Sequence, residues 1–366
     1  MKLVIFGLSI SSSWGNGHAT LWRGLVKGLA KNGHRVVFFE RDVPYYAEHR
    51  DYTEIPGGEL VLYEDWQRVA AAAKRHLKDA DVAVVTSYCP DAIAATELVL
   101  SSRVRLKTFY DLDTPITLAN LDAGRAVNYI GPRGLADFDL VLSFTGGAAL
   151  TELRTRLGAK RVAALYGSAD ASVHHPVPPN REYAADLSYL GTYSDDRQAS
   201  LEMLFVEPAR RLPDRRFVLG GSQYPPDFPW TENIFFFPHV APAEHAAFYC
   251  SSKLTLSVTR GPMADMGYCP SGRLFEASAC GVPIVSDDWE GLDQFFEPGI
   301  EIIIARTTGH AMDALAMSDE QRQRIGRAAR ERTLAKHTAE RRAVELETML
   351  EAGTKPAPEA RNAGEA

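Results

Sequence analysis

The stretch Pro270-Ser271-Gly272-Arg273-Leu274-Phe275-Glu276 holds the residue types that bind a phosphorylated diol. Ser271 is a good helix N-cap, and Gly272 has no side chain to keep a ligand away. The unpaired N–H groups of a first helical turn point outward and carry about half a positive charge, which suits a phosphate. Arg273 adds a fixed cation at that tip. Glu276 falls one turn further on, near the same face. A carboxylate there accepts two hydrogen bonds from a vicinal diol such as a ribose. Together these groups fit a nucleoside diphosphate, although an ordinary capped helix accounts for the same residues with no ligand at all.

Two loops in the first half carry further chemistry. Gly15-Asn16-Gly17-His18 is a flexible turn in which His18 opens a helical pattern. A Gly-x-Gly pair, with Glu40 ending the next apolar run, imitates a dinucleotide fingerprint. That fingerprint starts directly after its strand, whereas Gly15 lies eight residues beyond Gly7 and Thr20 stands where the third glycine belongs. NAD is therefore not expected. Phe109-Tyr110-Asp111-Leu112-Asp113-Thr114-Pro115 puts two carboxylates at a strand end. Asp113, already clear of the strand, is the better placed to act, and turn chemistry before a proline is its plain alternative. The Asp-x-Asp pair imitates a metal motif; no metal ligand set is assigned.

These loops need a scaffold, and the apolar pattern supplies one. Short apolar runs at 2–7, 35–40, 81–86, 105–110, 139–143 and 161–165 read as strands. Amphipathic helical stretches at 18–31, 64–78 and 91–101 fall between them. Continuous apolar strands separated by helices imply a parallel sheet covered on both faces. Residues 169–185, with Pro176-Val-Pro-Pro-Asn180, read as a linker. A second alternating series follows, with strands at 187–190, 217–219, 234–237, 254–258, 283–286 and 301–304 and helices at 197–211, 242–251 and 272–280. The expected organisation is an N-terminal Rossmann-like domain (1–168), the linker (169–185) and a second Rossmann-like domain (186–318). Charged C-terminal helices (319–351), free to pack back on the first domain, and a disordered tail (352–366) complete it. Ligands of such sheets sit beyond the carboxyl ends of the strands, so the chemistry belongs in the strand-to-helix loops facing a central cleft.

Composition narrows the function classes. Hydrophobic residues make up 45% and charged residues 24% of 366 residues, an ordinary globular balance for two domains. Forty basic against 47 acidic residues give a net charge of −7, which argues against a nucleic-acid partner. No apolar run reaches the roughly 20 residues needed to span a bilayer. The apolar run after Lys2 lacks a small-x-small cleavage site, so a soluble cytoplasmic protein is expected. Cys89, Cys250, Cys269 and Cys280 show no metal or disulfide spacing and read as small buried hydrophobes. His34 reads as a surface residue.

The run from Thr259-Arg260-Gly-Pro-Met263 through Ser271-Gly-Arg-Leu-Phe-Glu276 to Asp287-Asp288-Trp-Glu-Gly291 resembles the donor segment of GT-B glycosyltransferases, in particular the CgeB-like (spore maturation protein) branch. The resemblance implies an α/β GT-B fold, two doubly wound Rossmann-like domains facing a cleft, with a nucleoside-diphosphate sugar as co-substrate and no other cofactor. It implies further donor contacts. Thr192, Tyr193 and Arg197 would lie near the pyrophosphate with Arg260 and Arg273, and the strand end at Gly221-Ser222 would let backbone approach the ligand. The His239-Val240 loop would meet the nucleobase, and Asp287 the sugar. Gly17-His18, followed by Leu29-Ala-Lys-Asn-Gly-His-Arg-Val-Val, resembles the first helix of small-molecule enzymes of this class. In many of those the loop histidine is the general base. Its reference pKa of about 6.5 suits that task. An acid orients such a base, and Asp113 is the candidate.

One departure matters. Retaining GT-B enzymes often carry two glutamates in an E-x7-E spacing, and here Tyr268 occupies the first position. Stereochemistry therefore stays open, as do the nucleobase, the sugar, the acceptor (glycan, lipid, protein or small molecule) and the oligomeric state. Trp14, Tyr45, Tyr46 and Tyr110 are aromatic candidates for an acceptor surface, and none is assigned. The expected activity is a metal-independent, hexosyltransferase-type glycosyl transfer. The alternatives are a nucleotide-sugar-binding regulatory or assembly protein without turnover, or an epimerase or hydrolase on the same fold.

Overall fold

The computed structural model describes residues 1–353. Seven apolar segments of the first half pair in parallel as one sheet: β1 (Lys2–Gly7), β2 (Arg35–Arg41), β3 (Glu59–Tyr63), β4 (Val82–Thr86), β5 (Leu106–Asp111), β6 (Leu140–Ser143) and β7 (Val162–Ala164). Their order is β3-β2-β1-β4-β5-β6-β7. Both faces are buried, as the unbroken apolar runs require. Leu3 and Ile5 of β1 pack with Trp22 and Leu25 on one side, while Val4 and Phe6 pack with Val69 and Val99 on the other. The helices on these faces are α1 (Gly17–Lys31), α2 (Pro44–Ala47), α3 (Trp66–Leu77), α4 (Ala92–Ser101), α5 (Thr114–Asp122) and α6 (Ala148–Leu157). Strand order reverses between β1 and β4, so the loops after these two strands diverge and open a crevice at their carboxyl ends.

The second sheet repeats the plan with β8 (Leu187–Leu190), β9 (Phe217–Gly220), β10 (Ile234–Phe237), β11 (Thr255–Ser257), β12 (Ile284–Ser286) and β13 (Ile303–Ile304). Its order, β10-β9-β8-β11-β12-β13, reverses between β8 and β11. The stretch expected as one helix over 197–211 is α7 (Gln198–Leu201), a π-helical turn (Glu202–Val206) and α8 (Glu207–Arg211). Pro208, just beyond the π turn, has no N–H to donate to a regular ladder. The remaining helices are α9 (His245–Cys250), α10 (Gly261–Met266), α11 (Gly272–Ala279), α12 (Thr308–Ala316), α13 (Asp319–Lys336) and α14 (Ala339–Gly353).

The two C-terminal helices part company. α13 packs on α11, whereas α14 crosses to the first sheet and lies on α1. The crossing is close because α1 presents Gly24 and Gly28; a Cβ on Gly28 would stand 2.9 Å from both the Ala339 carbonyl and the Ala343 Cβ. Arg342 fastens the crossing by donating from Nε and Nη2 to the Gly167 carbonyl at 3.2 and 3.1 Å. This placement corrects the expectation for His34. It is buried beneath α14, with Nε2 3.2 Å from Glu347 and Nδ1 2.8 Å from the Met1 amine. Of the tail expected at 352–366, Ala352 and Gly353 end α14 and the remainder lies outside the described residues. The four cysteines are free thiols; Cys250 differs from the other three in being only partly buried. Among the described residues no helix is long and apolar enough to cross a membrane.

Candidate active site

A cavity of about 610 Å³ separates the carboxyl ends of the two sheets, a volume in the usual range for a small-molecule site. Its lower wall begins with the loop after β1. Glu40, at the end of β2, is fully buried and organises that loop. It accepts from Ser9 Oγ (2.9 Å), Ile10 N (2.8 Å), Ser11 N (3.0 Å) and Ser11 Oγ (2.6 Å). Its carboxylate is thus spent on bracing this loop. The loop ends at Asn16, which caps α1 by accepting from His18 N at 3.2 Å and donates to the Ser9 and Ser12 carbonyls.

This cap sets His18 in the first turn of α1, facing the loop after β5. Its Nε2 lies 3.5 Å from Asp113 Oδ2. Asp113 occupies the N-cap position of α5 but makes no side-chain cap bond, which leaves the carboxylate to His18. Burial pushes the Asp113 carboxyl up, and His18, Tyr88 and Arg260 outweigh it, holding the group below the usual carboxylate range. Asp111 behaves oppositely. It is fully buried, its Oδ1 accepts from Asp113 N at 3.1 Å, and burial raises it to about 6. The two aspartates thus face different partners: Asp113 lies against His18, and Asp111 accepts from the backbone of the turn. Tyr88, from the loop after β4, completes this side. Its φ of 62° lies in the left-handed region, and its ring stacks over His18 with centroids 5.8 Å apart. Nothing in the sequence signals Tyr88, since its role depends on a strained backbone that tyrosine rarely adopts.

The upper wall comes from the second sheet. After β8 the chain turns at Gly191, and after β9 at Gly221; Tyr193 N donates to the Ser222 carbonyl at 2.9 Å and so ties the two loops together. Gly221 has φ 140°, and a Cβ there would fall 2.0 Å from the Gly191 carbonyl oxygen. Thr192, Tyr193, Arg197, Gly221 and Ser222 all line the cavity, as do His239, Val240, Arg260, Ser271, Gly272, Arg273 and Glu276. From the first sheet Gly17, His18 and Asp113 join them. Asp287 is the exception and corrects its expected sugar contact. Its carboxylate accepts from Thr259 N (2.8 Å) and Thr259 Oγ1 (3.0 Å), tying β12 to β11, and it stands outside the cavity lining.

Several lining residues are committed in ways the sequence does not disclose. Ser271 takes the N-cap position of α11 but makes no side-chain cap bond. Arg273 is buried rather than displayed at the tip. It donates to the Leu190 carbonyl and to Ser257 Oγ (3.4 Å), and its guanidinium lies 4.7 Å from the Tyr189 ring centre. Arg197 donates to the Thr192 carbonyl at 2.9 Å, and Arg260 pairs with Asp196 at 2.9 Å. Glu276 folds back over the first turn of α11, where a Cβ on Gly272 would be only 3.7 Å from its Oε1. Burial pushes its carboxyl up, opposed by His245 and Arg273. His239 faces Trp14 across the cleft with ring centroids 4.6 Å apart, and Trp14 stacks in turn on His49 at 4.0 Å. Tyr268, in the register position of a first glutamate, wedges between the halves. A Cβ on either Gly147 or Gly291 would lie 2.4 Å from its ring.

The comparisons with known proteins agree with this architecture. A model of the glycosyl transferase-like family matches residues 197–348. No curated protein sequence matches the chain. Among solved structures, the chain is similar to a sucrose-phosphate synthase from Thermosynechococcus elongatus. That match has a TM-score of 0.74 and 14% identity, and covers 96% of this chain and 98% of that one. It is similar to Anabaena HepE in complex with UDP and glucose, with a TM-score of 0.68 and 13% identity over 96% of this chain and all of that one. An alpha-glucosyltransferase in complex with UDP-glucose and DNA matches with a TM-score of 0.67 and 11% identity over 97% of this chain and all of that one. At such identities the likeness establishes architecture: this chain has the GT-B fold, and its second half carries a glycosyl transferase-like sequence.

Proposed function

We propose that this protein is a glycosyltransferase, of the hexosyltransferase type and the CgeB-like branch, that moves a sugar from a nucleoside-diphosphate donor to an acceptor hydroxyl without a metal ion. The observation that carries the reading is that the His18–Asp113 pair and Glu276 line one cavity from opposite sheets. A base with its orienting acid on one wall and a diol acceptor beside a helix tip on the other is what transfer between two bound substrates requires.

In this reading Glu276 takes the ribose hydroxyls and the first turn of α11 takes the diphosphate. Arg197, Arg260, Thr192 and Tyr193 surround the leaving group and offset the charge that develops on it. Turned toward Asp113 through Nε2, the His18 imidazole keeps Nδ1 as its basic nitrogen. The acceptor oxygen attacks the anomeric carbon, its proton passes to Nδ1, and the carbon–phosphate-oxygen bond breaks with its electrons going to the diphosphate. A base acting on the face opposite the leaving group gives inversion. Tyr268 in place of a first glutamate accords with that outcome. The HepE and alpha-glucosyltransferase structures hold UDP or UDP-glucose, which makes a uridine nucleotide the first to try. The reaction is assigned to the cytoplasm, where nucleotide sugars are soluble co-substrates; the acceptor is a hydroxyl compound that enters from the first-sheet side.

The test is a screen of UDP, GDP, dTDP and CDP sugars by thermal shift, followed by transfer assays with the donor that binds. A selective, EDTA-insensitive stabilisation followed by sugar transfer supports the reading. Binding with neither transfer nor hydrolysis over a broad acceptor set would make it a nucleotide-sugar-binding protein instead.

A further inference from the structure

Beside the wall that holds Glu276 lies a cluster of side chains that sugar transfer leaves unused. His174, on the segment between the two sheets, is 1% exposed, and neither of its ring nitrogens has a hydrogen-bond partner among the described residues. The His245 ring faces it with centroids 6.0 Å apart. His245 is held from its other side: Nε2–H donates to the Val240 carbonyl at 3.2 Å. Nδ1 is therefore a lone pair. It is buried, has no partner among the described residues, and lies 4.0 Å from Glu276 Oε2. One ligating atom from each of His174, His245 and Glu276 lies within 4.8 Å of the other two. Two imidazole rings and a carboxylate thus converge without hydrogen-bonding one another among the described residues. Buried acceptors left unmatched are destabilising, and a positive centre among them removes that cost.

We propose that His174, His245 and Glu276 form a binding site for a divalent transition ion, with zinc the best fit. Two imidazoles and one carboxylate suit zinc and its borderline neighbours, whereas magnesium and calcium prefer oxygen alone. Zinc–ligand distances of about 2.0–2.1 Å place tetrahedral ligands about 3.3 Å apart, so the His245–Glu276 pair must close by less than about 1 Å. The Val240 carbonyl on Nε2 is the outer partner that fixes the tautomer of a ligating histidine. His245 and Glu276 line the cavity while His174 stands outside its lining, so the ion's fourth position opens toward the substrate. Where Glu276 also holds the donor ribose, a point that rests on the function proposed above, ion and nucleotide compete for one carboxylate. The ion then inhibits transfer rather than serving it.

The experiment titrates full-length, EDTA-treated and buffer-exchanged protein with zinc against a chromogenic chelator. It compares the wild type with His174→Ala, His174→Gln and Cys250→Ser. The glutamine variant keeps a polar side chain of similar size, and an unchanged thermal midpoint certifies its fold. The wild type and Cys250→Ser should each take up a single equivalent, and both His174 variants should bind at least about tenfold more weakly. No uptake by the wild type, or equal uptake by the His174 variants, overturns the site. So does loss confined to Cys250→Ser, which would trace the ion to a thiol. Adding UDP or GDP separates the two readings. Displacement of zinc by the diphosphate beyond that caused by a matched amount of inorganic pyrophosphate, which also chelates the ion, supports both. Zinc that is lost in the His174 variants yet unmoved by the diphosphate supports the ion site and removes Glu276 from the donor site.

Discussion

Glu276→Gln separates the donor reading from a plain structural role. Glu276 is largely buried, and burial pushes its carboxyl up against the opposing pull of His245 and Arg273. A group whose folded pKa is raised favours the folded state below its unfolded value and loses that contribution as pH rises through the folded pKa. At neutral pH the charge is therefore no asset to the empty protein, and the glutamine variant should be at least as stable without ligand. With nucleotide bound the sign reverses. A hydrogen bond to a charged acceptor contributes about 1.5–3 kcal/mol, and glutamine offers one neutral oxygen in place of the carboxylate. Losing one such bond weakens binding by about 10–100-fold. A ligand at 100 times its dissociation constant stabilises the wild type by about 2.7 kcal/mol; a thirtyfold weaker site leaves about 0.9 kcal/mol at the same concentration. For a chain of this length that is a shift falling from about 3–4 °C to about 1 °C. Differential scanning fluorimetry with the donor diphosphate reads both numbers. A full nucleotide shift in Glu276→Gln, or a variant clearly less stable when empty, would refute the argument.

Other consequences are equally open to measurement. His18→Ala should lower turnover by about 10²–10⁴-fold with the diphosphate shift unchanged, and Asp113→Asn should lower it by up to about 10³-fold; normal transfer by His18→Ala ends its assignment as base. Gly221→Ala should cost more than about 1 kcal/mol in a urea melt, because φ is 140° and the new methyl meets the Gly191 carbonyl. Gly17→Ala should leave stability equal or slightly raised, since no atom lies within 4 Å of its Cβ, yet slow transfer by narrowing the cavity. Burial lowers His174, His245 and His337 from 6.5 to about 4, so the unfolded chain takes up these protons first as pH falls. Their contribution is intact above pH 6.5 and is lost progressively toward pH 4, and His174→Gln should flatten that decline in a series of thermal midpoints.

The sequence by itself determined the scaffold and the addresses of the chemistry. Strands β1, β2, β4 and β5 are continuous apolar runs, and local periodicity suffices to read them. The start of α11 is legible in Pro270-Ser271-Gly272, because helix-start preferences are local, although the Ser271 side chain makes no cap bond. Strand β3 escaped: it is a partly exposed edge strand that starts on a glutamate, so no buried run marks it. Helix α5 escaped because Thr114-Pro115 reads as a turn until Pro115 is seen in the first helical turn. What only the tertiary structure decided is which side chains meet. That Asp113 stands clear of β5 was legible, but its approach to within 3.5 Å of His18 depends on how the loops after β1 and β5 meet. Asp287 is spent on Thr259, and Arg273 on the Leu190 carbonyl, because neighbouring strands bring partners from distant sequence within hydrogen-bond reach. His34 lies buried because α14 crosses back onto α1, a contact set by Gly24 and Gly28 more than 300 residues before it. His174 and His245 are unremarkable in sequence, and only folding brings their rings together beside Glu276. Spacing along the chain encodes local backbone structure; the meeting of groups from different strands depends on sheet order and loop paths, which the whole fold sets at once.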